Sequence, residues 1–419
     1  MILQKRKVLI LSDHALSTSG VGTQTRHLVE GLLQKGGWTF RQFGAAIKHT
    51  KYDTIIVDGN EDFIIKPIDG FGDRNMLRIT LATEKPDLIL LFTDPRFFYW
   101  LFEMEDEIHQ VCPIAWWHVW DNYPTPTFNK HMYEATDLIN CHSHLTYEIC
   151  KTMFPEKTNF VPHAVPTKVF HPLPDDVIRT YKEQLLGADR LDYFIGFWNN
   201  RNARRKRPAD VIESWKLFLD KLEEKHGHRK ATLLMHTDPN DPEGPNLVQV
   251  SKMLDIEKNV AFSTERIDFD KMNILYNIVD FTLNISFAEG FGLSTLESMN
   301  VGKPIIALKT GGLTRQVVDH RDGSENGVAL PVELRTLVGS QQVPYIYEDY
   351  VTNETTANAF LKMFDLGVEG RKRLGQKARE YVLSEFSSEK TIDTWHETLN
   401  KTIDDFKANK KKRWSVTSL

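Results

Sequence analysis

The sequence predicts an α/β protein with two domains, each a parallel sheet flanked by helices, and three observations predict it. The first is the stretch 279–312, VDFTLNISFAEGFGLSTLESMNVGKPIIALKTGG, which runs from an apolar strand (281–285) through a Gly-containing turn into a helical stretch (293–300). It then passes Lys303-Pro304, enters a second apolar strand (305–308) and closes on Gly311-Gly312. Strand, loop, helix, strand, with both strands apolar throughout, is the pattern of a buried parallel pair. The second is the alternation of short apolar runs with helical stretches, at 8–11, 54–57, 88–92, 114–117 and 138–141, then at 193–197, 233–235 and 260–262. The third is length, because 419 residues is long for one core.

Composition narrows the class. Hydrophobic residues make up 41% and charged residues 26%, ordinary for a soluble globular chain. The net charge is 52 − 57 = −5, so no global basic field points to nucleic acid. Cys112, Cys141 and Cys150 are too few and too scattered for a disulfide framework or a zinc site, and read as buried thiols of a reducing compartment. The opening apolar run, 8–11, is too short for a signal-peptide core and reads as a first strand. No run reaches transmembrane length. The expected location is cytoplasmic, at a membrane surface peripherally if at all, or in the host cytoplasm for a viral chain.

Ligands of parallel sheets sit beyond the carboxyl ends of the strands, and Glu289 to Gly292 and Thr310 to Gly312 fall there. Gly290 and Gly292 let the backbone approach a ligand. The following helix points unpaired amides at the same place, which suits an anion. Glu289 and Glu297, eight residues apart, suit hydroxyls of a sugar or ribose as hydrogen-bond donors to them. For Glu297 alone, a helix-start glutamate favoured by the dipole is an equally good reading.

The basic loop 199–208, NNRNARRKRP, follows the strand at 193–197 and precedes a helix with the stripe Val211, Trp215, Phe218, Leu222. Its cations can neutralise phosphate, Arg bidentately; a solvated turn or a nucleic-acid patch would look the same. Asp268-Phe269-Asp270 has the form of a metal-binding DxD, but a helix cap is the better reading. In the first half, Gly20 and Gly22 open a helix after the first strand, a weak phosphate or sugar signal. His118 ends the run 114–117, and Asp121 follows it. An imidazole held in one tautomer there can orient a ligand, although a satisfied His in an aromatic loop is the commoner case.

Glu289-Gly290-Phe291-Gly292-Leu293 with Glu297, then Gly302-Lys303-Pro304 and Gly311-Gly312, resembles the E-x7-E motif of family-four retaining glycosyltransferases of the GT-B fold. Arg201 and Lys206, five apart, resemble that family's Arg-x4-Lys pair. The resemblance implies two Rossmann-like domains facing a central cleft: 1–168 on the acceptor side and 175–387 for the nucleotide sugar. The helix 388–406 would cross back to the first domain, and 407–419 would be a basic tail. It implies transfer of a sugar, with retention, from a nucleoside-diphosphate donor to an acceptor hydroxyl, with no obligatory metal and no protein nucleophile.

On the same resemblance, Arg201 and Lys206 grip the diphosphate, with the backbone at Gly290, Phe291, Gly292, Leu293 and Ser294. Glu289 binds the transferred sugar and Glu297 the ribose. His118 contacts sugar or acceptor, and the Gly20–Gly22 loop faces the donor. His236 ends the strand 233–235, and Arg266 lies in the loop 263–268, where the family holds the base, to stack on it or pair with it. His163 departs from the family's usual hinge residues. The acceptor stays open: a saccharide, a lipid-linked glycan, or a hydroxymethylated DNA base of a virus or phage, the last kept alive by the basic runs 201–207 and 410–413. A glycoside hydrolase would share the two carboxylates but not need Arg201 and Lys206; a non-catalytic module would bind donor without turnover. Oligomeric state is not legible.

Overall fold

A computed structural model describes residues 5–409; the basic run 410–413 and the rest of the tail after Asn409 lie outside the described residues. The chain divides into two compact units. The first comprises the residues up to Ala164, Gly339–Tyr345 and the chain from Ser388; the second comprises Val165–Val338 and Ile346–Ser387.

The first unit holds an eight-stranded sheet of order β3-β4-β2-β1-β5-β6-β7-β8. Its strands are β1 (Arg6–Asp13), β2 (Trp38–Ala45), β3 (Ile55–Ile56), β4 (Phe63–Pro67), β5 (Leu88–Phe92), β6 (Ile114–His118), β7 (Leu138–Cys141) and β8 (Thr158–Phe160). All neighbours pair in parallel except β3 with β4. The run expected at 54–57 is therefore a two-residue antiparallel edge, not a parallel strand. The sheet instead extends through β2 and β4, where Arg41, Gln42 and Lys66 interrupt the apolar pattern. The helix Ser388–Asn409 seats Trp395, Leu399 and Ile403 in the same core as Val8, Ile10, Leu28 and Trp117.

The second unit holds a parallel sheet of order β11-β10-β9-β12-β13-β14. Its strands are β9 (Phe194–Asn199), β10 (Ala231–His236), β11 (Val260–Ser263), β12 (Phe281–Asn284), β13 (Ile305–Leu308) and β14 (Gly327–Leu330). Because every pairing is parallel, all carboxyl ends face one edge. That edge carries the loops with Arg201–Lys206, His236, Arg266, Glu289 and Gly311-Gly312. On one face the helix Pro208–His226 buries Val211, Trp215, Phe218 and Leu222. On the other, the helix Leu293–Asn300 buries Leu296 and Met299. Residues 334–350 form an antiparallel hairpin, β15 (Leu334–Val338) and β16 (Ile346–Tyr350).

Candidate active site

The second unit's site starts from a buried ion pair. Lys206 Nζ donates to Glu289 Oε2, with both side chains nearly sealed from solvent. Asn284 Nδ2 (3.1 Å) and Ser286 Oγ (3.3 Å) donate to the same carboxylate oxygen. Arg205 Nη1 donates to the Ala288 carbonyl at 2.7 Å and stands 3.8 Å from Glu289 Oε1. Burial alone would raise the carboxyl's pKa, but the Lys206 and Arg205 charges outweigh it and hold Glu289 down at about 2. One carboxylate facing two cations leaves a net positive charge at Glu289, in the loop that leads to the helix Leu293–Asn300.

The loop before that helix is set by backbone geometry. Gly292 caps it at φ 92°, a conformation that favours glycine. Gly312 allows a close approach: a Cβ there would lie 2.4 Å from the Gly290 carbonyl oxygen and 2.6 Å from Phe291 Cα. Gln316 Nε2 donates to the carbonyls of Phe291 (2.7 Å) and Gly292 (3.1 Å), while its Oε1 accepts from Thr295 Oγ1 (2.6 Å). These bonds turn the loop's carbonyls inward. Ser294 Oγ is buried and has no hydrogen-bond partner among the described residues, a polar group suited to a ligand.

Glu297, one turn further on, accepts from Tyr276 Oη at 2.6 Å, and Asn199 Nδ2 donates to that hydroxyl at 2.9 Å. Burial raises Glu297 to about 7, the Tyr276 bond offsetting part of the rise.

The sequence-predicted residues do not all converge. Lys206 and Glu289 meet, with Gly290, Gly292, Leu293 and Ser294 on the adjoining loop and helix start. Arg201 does not join them: its guanidinium bonds Asp241 (2.8 and 3.3 Å) and Glu243 (3.1 Å), and its side chain is 59% exposed. Two carboxylates on the β10 loop compete for it, which the motif alone does not show. The Phe291 ring is core, packed edge-on against Phe386 at 5.7 Å, so only its backbone lines the loop. His236 Nδ1 lies 2.9 Å from Ser263 Oγ, and burial lowers its pKa. Arg266 is exposed on the loop after β11. Asp268 accepts from Lys271 N (3.0 Å) and caps a helix.

In the first unit, Ser19 Oγ donates to Asp13 (2.7 Å) and accepts from Gly22 N (3.0 Å). This pins the turn at Gly20, where the helix Gly20–Lys35 begins. His118 departs from expectation. It is 0% exposed, its Nε2 lies 2.9 Å from the Tyr133 hydroxyl, and its ring lies 4.1 Å from that of Trp116. Trp116 and His118 share one face of β6, and the helix Lys130–Ala135 covers it. In this structure that helix seals the ring from solvent, and His118 Nδ1 has no hydrogen-bond partner among the described residues. His163 is likewise buried, edge-on to Trp117 at 4.9 Å.

Sequence reasoning missed Arg205, Tyr276, Asn284 and Gln316. Arg205 stood in a run of like residues, and the others carry no motif. Only the fold places them.

Residues 194–337 match the model of the family described as glycosyl transferases group 1. N-acetyl-alpha-D-glucosaminyl L-malate synthase of Bacillus anthracis is 27% identical over 190 residues, 45% of this chain. That match spans 41% of the relative's length. Among solved structures, sucrose-phosphate synthase of Thermosynechococcus elongatus superposes with a TM-score of 0.72 at 16% identity, over 96% of this chain and 100% of that one. HepE of Anabaena, in complex with UDP and glucose, gives 0.69 at 16% identity, over 94% and 100%. An E. coli protein described as trehalose-6-phosphate bound with UDP-2-fluoro glucose gives 0.65 at 11%, over 95% and 99%.

The fold is GT-B. Residues 194–337 carry a domain that matches glycosyl transferases group 1 on that scaffold. Among the described residues no helix is long and apolar enough to cross a membrane.

Proposed function

We propose that this chain is a glycosyltransferase that moves a sugar from a nucleoside-diphosphate donor to an acceptor hydroxyl, with retention and without an obligatory metal ion. The observation that carries the reading is the Lys206–Glu289 pair, flanked by Arg205, beside a helix start where Ser294 Oγ has no partner among the described residues. Complexes of similar folds with UDP, glucose and UDP-2-fluoro glucose support a UDP-sugar as the donor to test first.

In this reading the bond from the anomeric carbon to the diphosphate oxygen breaks, and negative charge grows on the leaving phosphate. Lys206 and the amides around Gly292 to Ser294 stabilise that charge where it develops, an arrangement that favours the transition state over the ground state. Glu289, freed from Lys206, accepts from hydroxyls of the transferred sugar. Glu297 accepts from the ribose. The acceptor oxygen bonds the anomeric carbon on the face the phosphate leaves, and its proton passes to a phosphate oxygen. Arg201 reaches the diphosphate only by leaving Asp241 and Glu243, so Lys206 carries the first contact.

The test is isothermal titration with UDP-, GDP-, ADP- and dTDP-sugars, followed by the anomeric configuration of the product. Binding of one donor and loss of it in Lys206→Ala are expected. A wild-type chain that binds none, or an inverted product, rejects the reading.

A further inference from the structure

One strand braces three loops of the donor edge. Asp349, on β16, is 0% exposed. A buried carboxylate is costly unless both oxygens are satisfied, and here both are. Arg335 donates to Oδ1 (2.6 Å) and Oδ2 (3.2 Å), and Thr310 Oγ1 donates to Oδ2 at 2.7 Å. Thr310 opens the turn to Gly311-Gly312, and Gly312 N donates to the Glu289 carbonyl at 2.9 Å. The Asp349 amide also donates to the Phe287 carbonyl at 2.8 Å, two residues before Glu289.

The same strand holds the basic loop. Glu348 accepts both Arg204 guanidinium nitrogens, at 2.8 and 3.0 Å. Arg207 donates to the Val351 carbonyl (3.1 Å) and lies over the rings of Phe287 (5.1 Å) and Tyr350 (5.8 Å). Lys206 therefore sits between two arginines anchored on β16 and the residue after it. Apolar burial does not account for the hairpin, because Leu334 and Leu337 of β15 are largely exposed. Its polar contacts concentrate on the loops that carry Lys206, Glu289 and Gly312.

We propose that the β15–β16 hairpin is a positioning device for the donor loops, and that the Thr310–Asp349 bond is a contact through which it acts. The proposal rests on the donor-site reading above. Asp349 and Thr310 touch no reacting atom; they fix where Glu289 and the Gly311-Gly312 turn stand. A hydroxyl removed from Thr310 lets that turn shift and weakens the grip on the diphosphate, while the fold persists.

The experiment is titration calorimetry on the full chain, with whichever of UDP, GDP, ADP and dTDP the wild type binds most tightly, alongside melting of the unliganded protein. Thr310→Val should raise Kd about tenfold, the scale of one lost hydrogen bond, with Tm lower by no more than about 4 °C. Thr310→Ser, which keeps the hydroxyl, should restore the wild-type Kd. Asp349→Asn should act in the same direction as Thr310→Val; if it fails to fold, the Thr310 pair decides. A Thr310→Val Kd within about twofold of wild type, with Lys206→Ala losing binding, overturns the hairpin's role and leaves the donor site standing. A wild type that binds none of the nucleotides overturns both.

Discussion

The Tyr276 hydroxyl donates to Glu297 across 2.6 Å and is itself held by Asn199 at 2.9 Å. The carboxyl so placed is raised by burial to about 7, so its charge changes near neutrality. An ionised carboxylate accepts from a ribose diol better than a protonated one. Affinity for a nucleotide sugar should therefore rise with pH, with a midpoint near 7 set by Glu297. Tyr276→Phe removes a bond that favours the charged form, so the midpoint should move upward. Calorimetry across the neutral range checks both, and Glu297→Gln should be flat. A wild-type profile as flat as that variant's would remove Glu297 from the site.

Breaking the Lys206–Glu289 pair should have two separable effects. Lys206→Ala should cost at least about 100-fold in kcat/KM, as loss of a charge that acts in the transition state does. It should also destabilise, because a buried carboxylate is left with Arg205 as its counter-charge among the described residues. The pH dependence follows from the sign. Glu289 sits at about 2 in the fold against an ordinary 4.5. Its contribution is full above about 4.5 and is lost as pH falls toward 2. In Lys206→Ala the folded pKa rises while the unfolded value stays, so that window narrows from its lower edge and the carboxyl's contribution to stability shrinks. Melting curves from pH 3 to pH 7 test this; identical acid profiles for both proteins would show that the pair is not coupled.

Much of the second unit was legible in the chain. The helix expected at 293–300 and the strand at 305–308 appear with those bounds, because the apolar period changes and Gly302, at φ 78°, turns the chain out of the helix ahead of Lys303-Pro304. The parallel edge followed from the same stretch. In the first unit, β2 escaped notice because Arg41 and Gln42 fall inside it, and β4 is short and ends in Lys66-Pro67. His118 stands at a strand end as expected, but it shares Trp116's face, which a helix covers, so its ring is buried. No local pattern reports which face a distant helix will cover. The same limit hid Gln316, a lone polar residue whose role depends on reaching carbonyls more than twenty positions away.

Arg201 carries the motif, yet Arg205 stands at Glu289 because the turn Arg204–Lys206 aims consecutive side chains differently. Arg205→Ala should therefore weaken donor binding about tenfold or more, on the scale of a lost charge-assisted bond. Arg201→Ala should cost less, since its guanidinium already serves Asp241 and Glu243. Side-by-side titrations with one nucleotide sugar rank them. A larger loss in Arg201→Ala would mean that its ion pairs yield to the ligand and that Arg205 serves only the loop.

Turnover should not need a metal ion. A diphosphate leaving group needs positive charge where its own charge grows, and a divalent ion is the common source. Here Lys206 and Arg205 face one carboxylate, leaving a net positive charge, and the start of the helix Leu293–Asn300 adds roughly half a charge through its free amides. Side chains and amides held in place cost no reorganisation during the reaction. Turnover in excess chelator should accordingly stay within about twofold of turnover in magnesium, and Lys206→Ala should not be rescued by adding magnesium or manganese. A rate abolished by chelator and restored by either ion would show that the cationic loop does not supply the charge by itself.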